Sequence, residues 1–139
     1  MKIRKIKGLT EHEGELIITD GCFDIEGICV SLPLLNNRAL NIGESVTMLH
    51  AFFQKEDPII IKLKDIKQQK YKLKKKCIFG MSYYVQGHVI DEKKYLVKVF
   101  DFIISLEYLF GSEYENRTFV YKNGEWLSFL VDRFDITIL

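Results

Sequence analysis

The feature that most constrains this chain is the rhythm of its breaks. Turn signals recur roughly every 8–12 residues, and the apolar runs between them suit strands better than helices. GELIITDGCFDIEGICVSL, from Gly14 to Leu32, opens with Gly, climbs a short apolar strand, turns through charged residues and returns along a longer apolar run ending in Ser-Leu. GHVIDEKKYLVKVFDFIISL, from Gly87 to Leu106, follows the same plan. After a loop, each is followed by Gly-Glu and a third apolar run, from Gly43 and from Gly124. The pattern predicts an all-β or mainly β protein: two similar antiparallel β-meanders packed as a small barrel or sandwich, with at most one short helix near residues 64–70.

A module of about 60 residues alone buries too little surface to be secure. The 139 residues are therefore read as a single compact domain. Within it, residues of about 8–63 and 78–139 have the look of an internal duplication joined by a lysine-rich connector, 64–76. β-Hairpins of ordinary turn chemistry share such positions anyway.

Local signals refine the plan. Residues 2–7, KIRKIK, suit a short edge strand guarded by its basic side chains, an edge that leaves strand-mediated dimerisation open. Asp20-Gly21 suits a two-residue type I′ hairpin. Gly27 interrupts an alternation that resumes with flipped parity at Ile28 and Val30, which predicts a β-bulge. Val46, Met48 and Phe52 match period 2 and favour a strand over a helix across 45–53. Ile59 to Leu63 reads as a strand. Asp65 suits the cap of a short helix reaching Gln69, after which K-Y-K-L-K alternates like a strand. Ile78 to Val85 is apolar and aromatic. Tyr95 to Leu106 predicts one long, covered strand. Asn123-Gly124, between 118–122 and 125–131, is the strongest hairpin signal. Phe134 to Leu139 predicts a final strand.

The composition, 47% hydrophobic and 28% charged, is that of a folded globular protein. No apolar run approaches the roughly 18 residues needed to span a bilayer. The basic N-terminus lacks the apolar segment of a secretory signal. Those features predict a cytoplasmic protein with no membrane partner and with Cys22, Cys29 and Cys77 reduced. Heavy use of Ile and Lys over Arg is associated with AT-rich bacterial or phage genomes.

The net charge of +1 hides blocks. Residues 1–7 carry +4. Residues 8–61 carry nine acids against Arg38 and Lys55, a balance of −7. Residues 62–76 carry eight lysines against Asp65, or +7, and residues 77–139 carry nine acids against six bases, or −3.

Enzymatic signatures are missing from the sequence. Cys22 and Cys29 are too far apart for a usual zinc ligand pair, so no metal is expected. His12, His50 and His88 stand in no Cys-His signature. No Gly-rich phosphate loop occurs, and no cofactor is implied. The leading expectation is a non-catalytic module that binds another protein. Its candidate surface is the acidic, tyrosine-rich loop with Tyr108, Glu113, Tyr114 and Glu115, beside Glu107. The alternative is single-stranded nucleic-acid binding on a barrel like the small oligonucleotide-binding ones. Lys67, Lys70, Lys72, Lys74, Lys75 and Lys76 would meet phosphates, while Tyr71, Tyr83 and Tyr84 offer rings to bases.

Overall fold

A computed structural model of the chain describes residues 1–9, 13–30, 40–55, 57–111 and 118–138. It is mainly β. The strands are β1 (Lys2–Leu9), β2 (Gly14–Thr19), β3 (Asp24–Cys29), β4 (Met48–Phe52), β5 (Ile60–Leu63), β6 (Lys72–Lys75), β7 (Tyr83–Asp91), β8 (Leu96–Val99), β9 (Phe102–Ser105), β10 (Trp126–Val131) and β11 (Arg133–Thr137). One helical turn, α1, spans Glu107–Phe110, and a 3-10 turn spans Ile66–Gln68. Asp65 caps the 3-10 turn by accepting from the Lys67 N–H. All eleven strands join one sheet in the order β1-β2-β3-β11-β4-β9-β8-β7-β10-β5, with β6 beside β7. Its pairings are antiparallel except β3 with β11 and β4 with β9.

Strand alternation decides the inner face. Leu16 and Ile18 of β2, Ile25 and Cys29 of β3, Val85 and Val89 of β7, and Leu127, Phe129 and Val131 of β10 all point into one apolar core. The sheet curls to enclose it. β3 and β7 stand five places apart, which in a flat sheet would separate them by about 24 Å. Yet the Glu26 N–H of β3 donates to the Tyr83 hydroxyl of β7 at 2.9 Å. Lys75 of β6 donates to the Glu26 carboxylate at 2.5 Å, and Lys7 of β1 donates to its other oxygen. Phe23 stacks on Phe100 with ring centroids 4.3 Å apart. Among the described residues no main-chain ladder joins β3 to β7, so side chains close this barrel-like seam.

Several local expectations are corrected. Gly27 makes no bulge: β2 and β3 pair without a shift through it, and Ile25, Gly27 and Cys29 keep one parity. Its lack of a side chain serves close approach, because a Cβ there would lie 2.6 Å from the Phe134 carbonyl oxygen on β11. The expected strand over 95–106 is instead the β8–β9 hairpin, with Val99 opposite Phe102. Phe100 turns it at φ 52°, a costly conformation for a bulky residue. Its contacts with Phe23 and Tyr71 hold it there. The loop after β2 has four residues rather than two, and Asp20 accepts from the N–H groups of Cys22 and Phe23. Asn123-Gly124 does turn, with Gly124 at φ +87°, but residues 118–122 pair with nothing in the sheet. Both edges of β10 are taken, by β5 and β7. In β4 the buried residues are Leu49 and Ala51, the opposite parity from Met48 and Phe52.

The two halves of the chain share the sheet. β11 inserts between β3 and β4, while β5 joins the far edge beside β10. The two Gly-Glu runs have different neighbours: β4 lies beside β11 and β9, and β10 lies beside β7 and β5.

Candidate functional site

The region around Tyr108 is built by β4, β11 and α1. β4 and β11 are antiparallel neighbours with His50 directly opposite Asp135, and α1 packs across β4. The Tyr108 ring lies almost parallel over His50, centroids 4.7 Å apart and planes 6° apart. Tyr108 itself remains 40% exposed. Asp135 is buried and accepts from Arg133 Nε at 2.7 Å. The Arg133 guanidinium in turn covers the Phe52 ring at 4.3 Å. Tyr108, Arg133, Asp135, Phe52, Phe53 and Leu109 line an open groove of about 330 Å³, continued by Gln54 and Lys55.

The electrostatics follow from partial burial. Burial pushes the Tyr108 phenol upward, with Asp135 and Glu107 adding to the rise and Arg133 opposing it. Burial pushes His50 down, against the pull of Glu107 and Asp135, so its imidazole is neutral at neutral pH. Nδ1 of His50 is buried with no hydrogen-bond partner. Ser105, opposite His50 on β9, is buried and its hydroxyl accepts from the Glu107 N–H at 3.1 Å. The groove offers aromatic walls, one guanidinium and one buried acid. Aromatic rings and arginine are side-chain types enriched at protein interfaces.

Of the expected protein-binding residues, Tyr108 therefore sits on this groove, while Glu107, exposed in the first turn of α1, lies outside its lining. Glu113, Tyr114 and Glu115 lie outside the described residues, as does His12. Sequence reasoning missed His50, Arg133 and Asp135. One signal was present: Arg133 and Asp135 are two apart in a strand and so share a face with opposite charges.

The basic residues divide between faces. Lys72 and Lys74 lie on the exposed side of β6 opposite Gln86 and Tyr84, and Lys72 Nζ stands 5.5 Å from the centre of the Tyr84 ring. Lys75 points the other way, to Glu26. Burial raises Glu26, but hydrogen bonds from Lys7 and Lys75 outweigh it and hold the carboxyl below its usual range. Lys67, Lys70 and Lys76 are exposed. Tyr71 turns into an aromatic cluster: its hydroxyl and His88 Nε2 share a hydrogen bond of 2.7 Å, and its ring lies 4.9 Å from Trp126 and 5.4 Å from Phe100. Tyr83 is 4% exposed and cannot stack on a base, which corrects its place in the nucleic-acid set. Lys72, Lys74 and Tyr84 are the members of that set brought together on one open face.

Cys22 and Cys77 are exposed and Cys29 is buried. Among the described residues no three His, Cys, Asp or Glu side chains are grouped to hold a metal, and no helix is long and apolar enough to cross a membrane. Compared with known proteins, the chain matches no family model, no curated protein and no solved structure.

Proposed function

We propose that this chain is a non-catalytic interaction module that binds another protein through the groove beside Tyr108. The observation that carries the reading is the groove itself. A half-exposed tyrosine, two phenylalanines and an arginine converge there, on a base fixed by the Arg133–Asp135 pair and the Tyr108–His50 stack. Rigid aromatic anchors of this type lose little side-chain freedom on binding and supply most of the energy of small interfaces. In sequence, Glu113 and Glu115 come soon after α1, and acids of this kind complement a basic partner.

A second reading, single-stranded nucleic-acid binding, is favoured by one specific observation, the exposed row of Lys72 and Lys74 beside Tyr84. It is weakened by Tyr83 and Tyr71, whose rings are occupied within the protein.

Photo-crosslinking separates the two. A benzophenone side chain placed at Gln54 on the groove, and in a second protein at Tyr84, is irradiated in the source cells. The expected result is a discrete protein adduct from position 54 and none from 84. Nucleic acid joined at 84, with no adduct at 54, would reverse the order of the readings.

A further inference from the structure

The turn between β6 and β7 is the least expected part of the surface. Ile78 to Val85 is apolar and aromatic in sequence, but the strand begins only at Tyr83. Cys77, Ile78, Phe79, Gly80 and Met81 form the loop, closed at its base by the Lys76 N–H donating to the Ser82 carbonyl at 2.8 Å. Gly80 makes the turn at φ +107°. Ile78 is 87% and Phe79 is 90% exposed, so two large apolar side chains stand side by side in solvent at the tip of a hairpin. Loop tips are normally polar, and consecutive exposed apolar residues mark a contact surface.

The surroundings say what kind of surface. Lys70, Lys72, Lys74 and Lys76 are exposed along the strand leading into this tip, and none has an acidic partner among the described residues. The acids at the base of the hairpin are engaged. Glu26 holds Lys75 and Lys7, and Asp132 accepts from the Gln54 N–H at 2.7 Å. The tip is thus apolar at its end and cationic along its stem. It is convex, and two side chains fall far short of the roughly 800 Å² that a stable protein interface takes from each partner. A polyanion in water has no use for an exposed isoleucine. A bilayer suits both parts: apolar side chains enter the acyl boundary while lysines meet anionic headgroups.

We propose that the β6–β7 hairpin is a membrane-surface wedge, which seats Ile78 and Phe79 in a bilayer carrying anionic lipid. It needs no spanning segment, and it is independent of the groove at Tyr108. The test is co-sedimentation of the full chain with vesicles of phosphatidylcholine alone and of phosphatidylcholine with phosphatidylglycerol. Two variants accompany it, Ile78→Ser with Phe79→Ser, and Lys72→Gln with Lys74→Gln and Lys76→Gln. All the replaced side chains are exposed, and circular dichroism checks that both variants fold. The expected result is binding to the anionic vesicles that falls about tenfold or more in the apolar variant. It falls on the order of a hundredfold in the lysine variant. Absence of binding to anionic vesicles, or binding as tight by the Ser variant as by the unaltered chain, overturns the proposal. The same proteins are titrated with a labelled single-stranded oligonucleotide. Oligonucleotide binding lost only in the lysine variant, without vesicle binding, assigns the lysines to nucleic acid and overturns it equally.

Discussion

Replacing Gly87 by alanine tests the close packing of neighbouring strands within the sheet. Gly87 lies in the middle of β7, opposite Leu127 of β10, with β8 against its other side. A Cβ built there falls 2.2 Å from the Lys98 carbonyl oxygen and 2.8 Å from Val99 Cγ2. A relaxed carbon–oxygen contact is about 3.3 Å, so β8 would have to retreat by about 1 Å. The atom in the way is backbone, flanked by β7 and β9, and cannot swing aside. Overpacking of this kind costs about 1–3 kcal/mol, and a clash with backbone belongs at the upper end. The loss of unfolded-state entropy on replacing glycine returns about 0.5–1 kcal/mol. The expected net destabilisation is about 2 kcal/mol. With a urea slope of about 1.5 kcal/mol per molar, the midpoint falls by more than about 1 M. Urea titration followed by far-ultraviolet circular dichroism reads it. Gly8→Ala is the control, since nothing lies within 4 Å of its added carbon. That variant is expected within about 0.5 kcal/mol of the unaltered chain. Equal midpoints for Gly87→Ala and Gly8→Ala would refute the close approach of β7 and β8.

Three further outcomes follow from particular side chains. Tyr83→Phe removes the acceptor of the Glu26 N–H at the side-chain seam, and a loss of about 1–2 kcal/mol is expected by the same titration. An unchanged midpoint would place no weight on that seam. His50 has its pKa lowered by burial, so the unfolded chain takes up a proton before the folded one does as pH falls. Its contribution is present above the ordinary value near 6.5 and declines below it, by at most about 1.4 kcal/mol per pH unit. His50→Gln is expected to flatten the stability profile below that pH, and a parallel profile would contradict the burial. Glu26, held below the usual carboxylate range, contributes stability above the ordinary value of about 4.5, and this is lost as pH falls through its folded value. Glu26→Gln is expected to lower the midpoint near neutral pH and to approach the unaltered chain in acid.

The strand rhythm was legible in the sequence because period-2 alternation and turn residues are local signals. Asp65, the edge strand at the N-terminus and the final strand are all where local chemistry puts them. The neighbours were not legible. Gly27 looks like a bulge when only its own hairpin is considered; its actual constraint is Phe134, brought alongside by a parallel pairing from the far end of the chain. Phe100 turns a hairpin with no glycine to announce it, because aromatic contacts from Phe23 and Tyr71 compensate a backbone that local propensity disfavours. Asn123-Gly124 shows the reverse: the turn forms as its local signal says, but residues 118–122 do not pair across it, because β10 already has a partner on each edge.

The site divides in the same way. Tyr108 stands out in the sequence as part of a tyrosine-rich, acidic stretch. His50 and Arg133 come to it only through the β4–β11 register, which no local pattern reveals. In the lysine-rich segment, charge and strand alternation were legible and the partners were not. Strand parity sends Lys75 to Glu26 while Lys72 and Lys74 face solvent. An irregular turn exposes Ile78 and Phe79, which on composition alone belong inside.

The most direct test of the protein-binding reading compares what three forms of the chain retain from extracts of the source cells. These are the unaltered chain, a groove variant with Phe53→Ser and Tyr108→Ala, and the Lys72, Lys74 and Lys76 glutamine variant. Quantitative mass spectrometry after nuclease treatment reads the retained proteins. The expected result is a partner held by the unaltered chain and by the lysine variant and lost from the groove variant. A partner held equally by the groove variant, or lost only with the lysines, would contradict it.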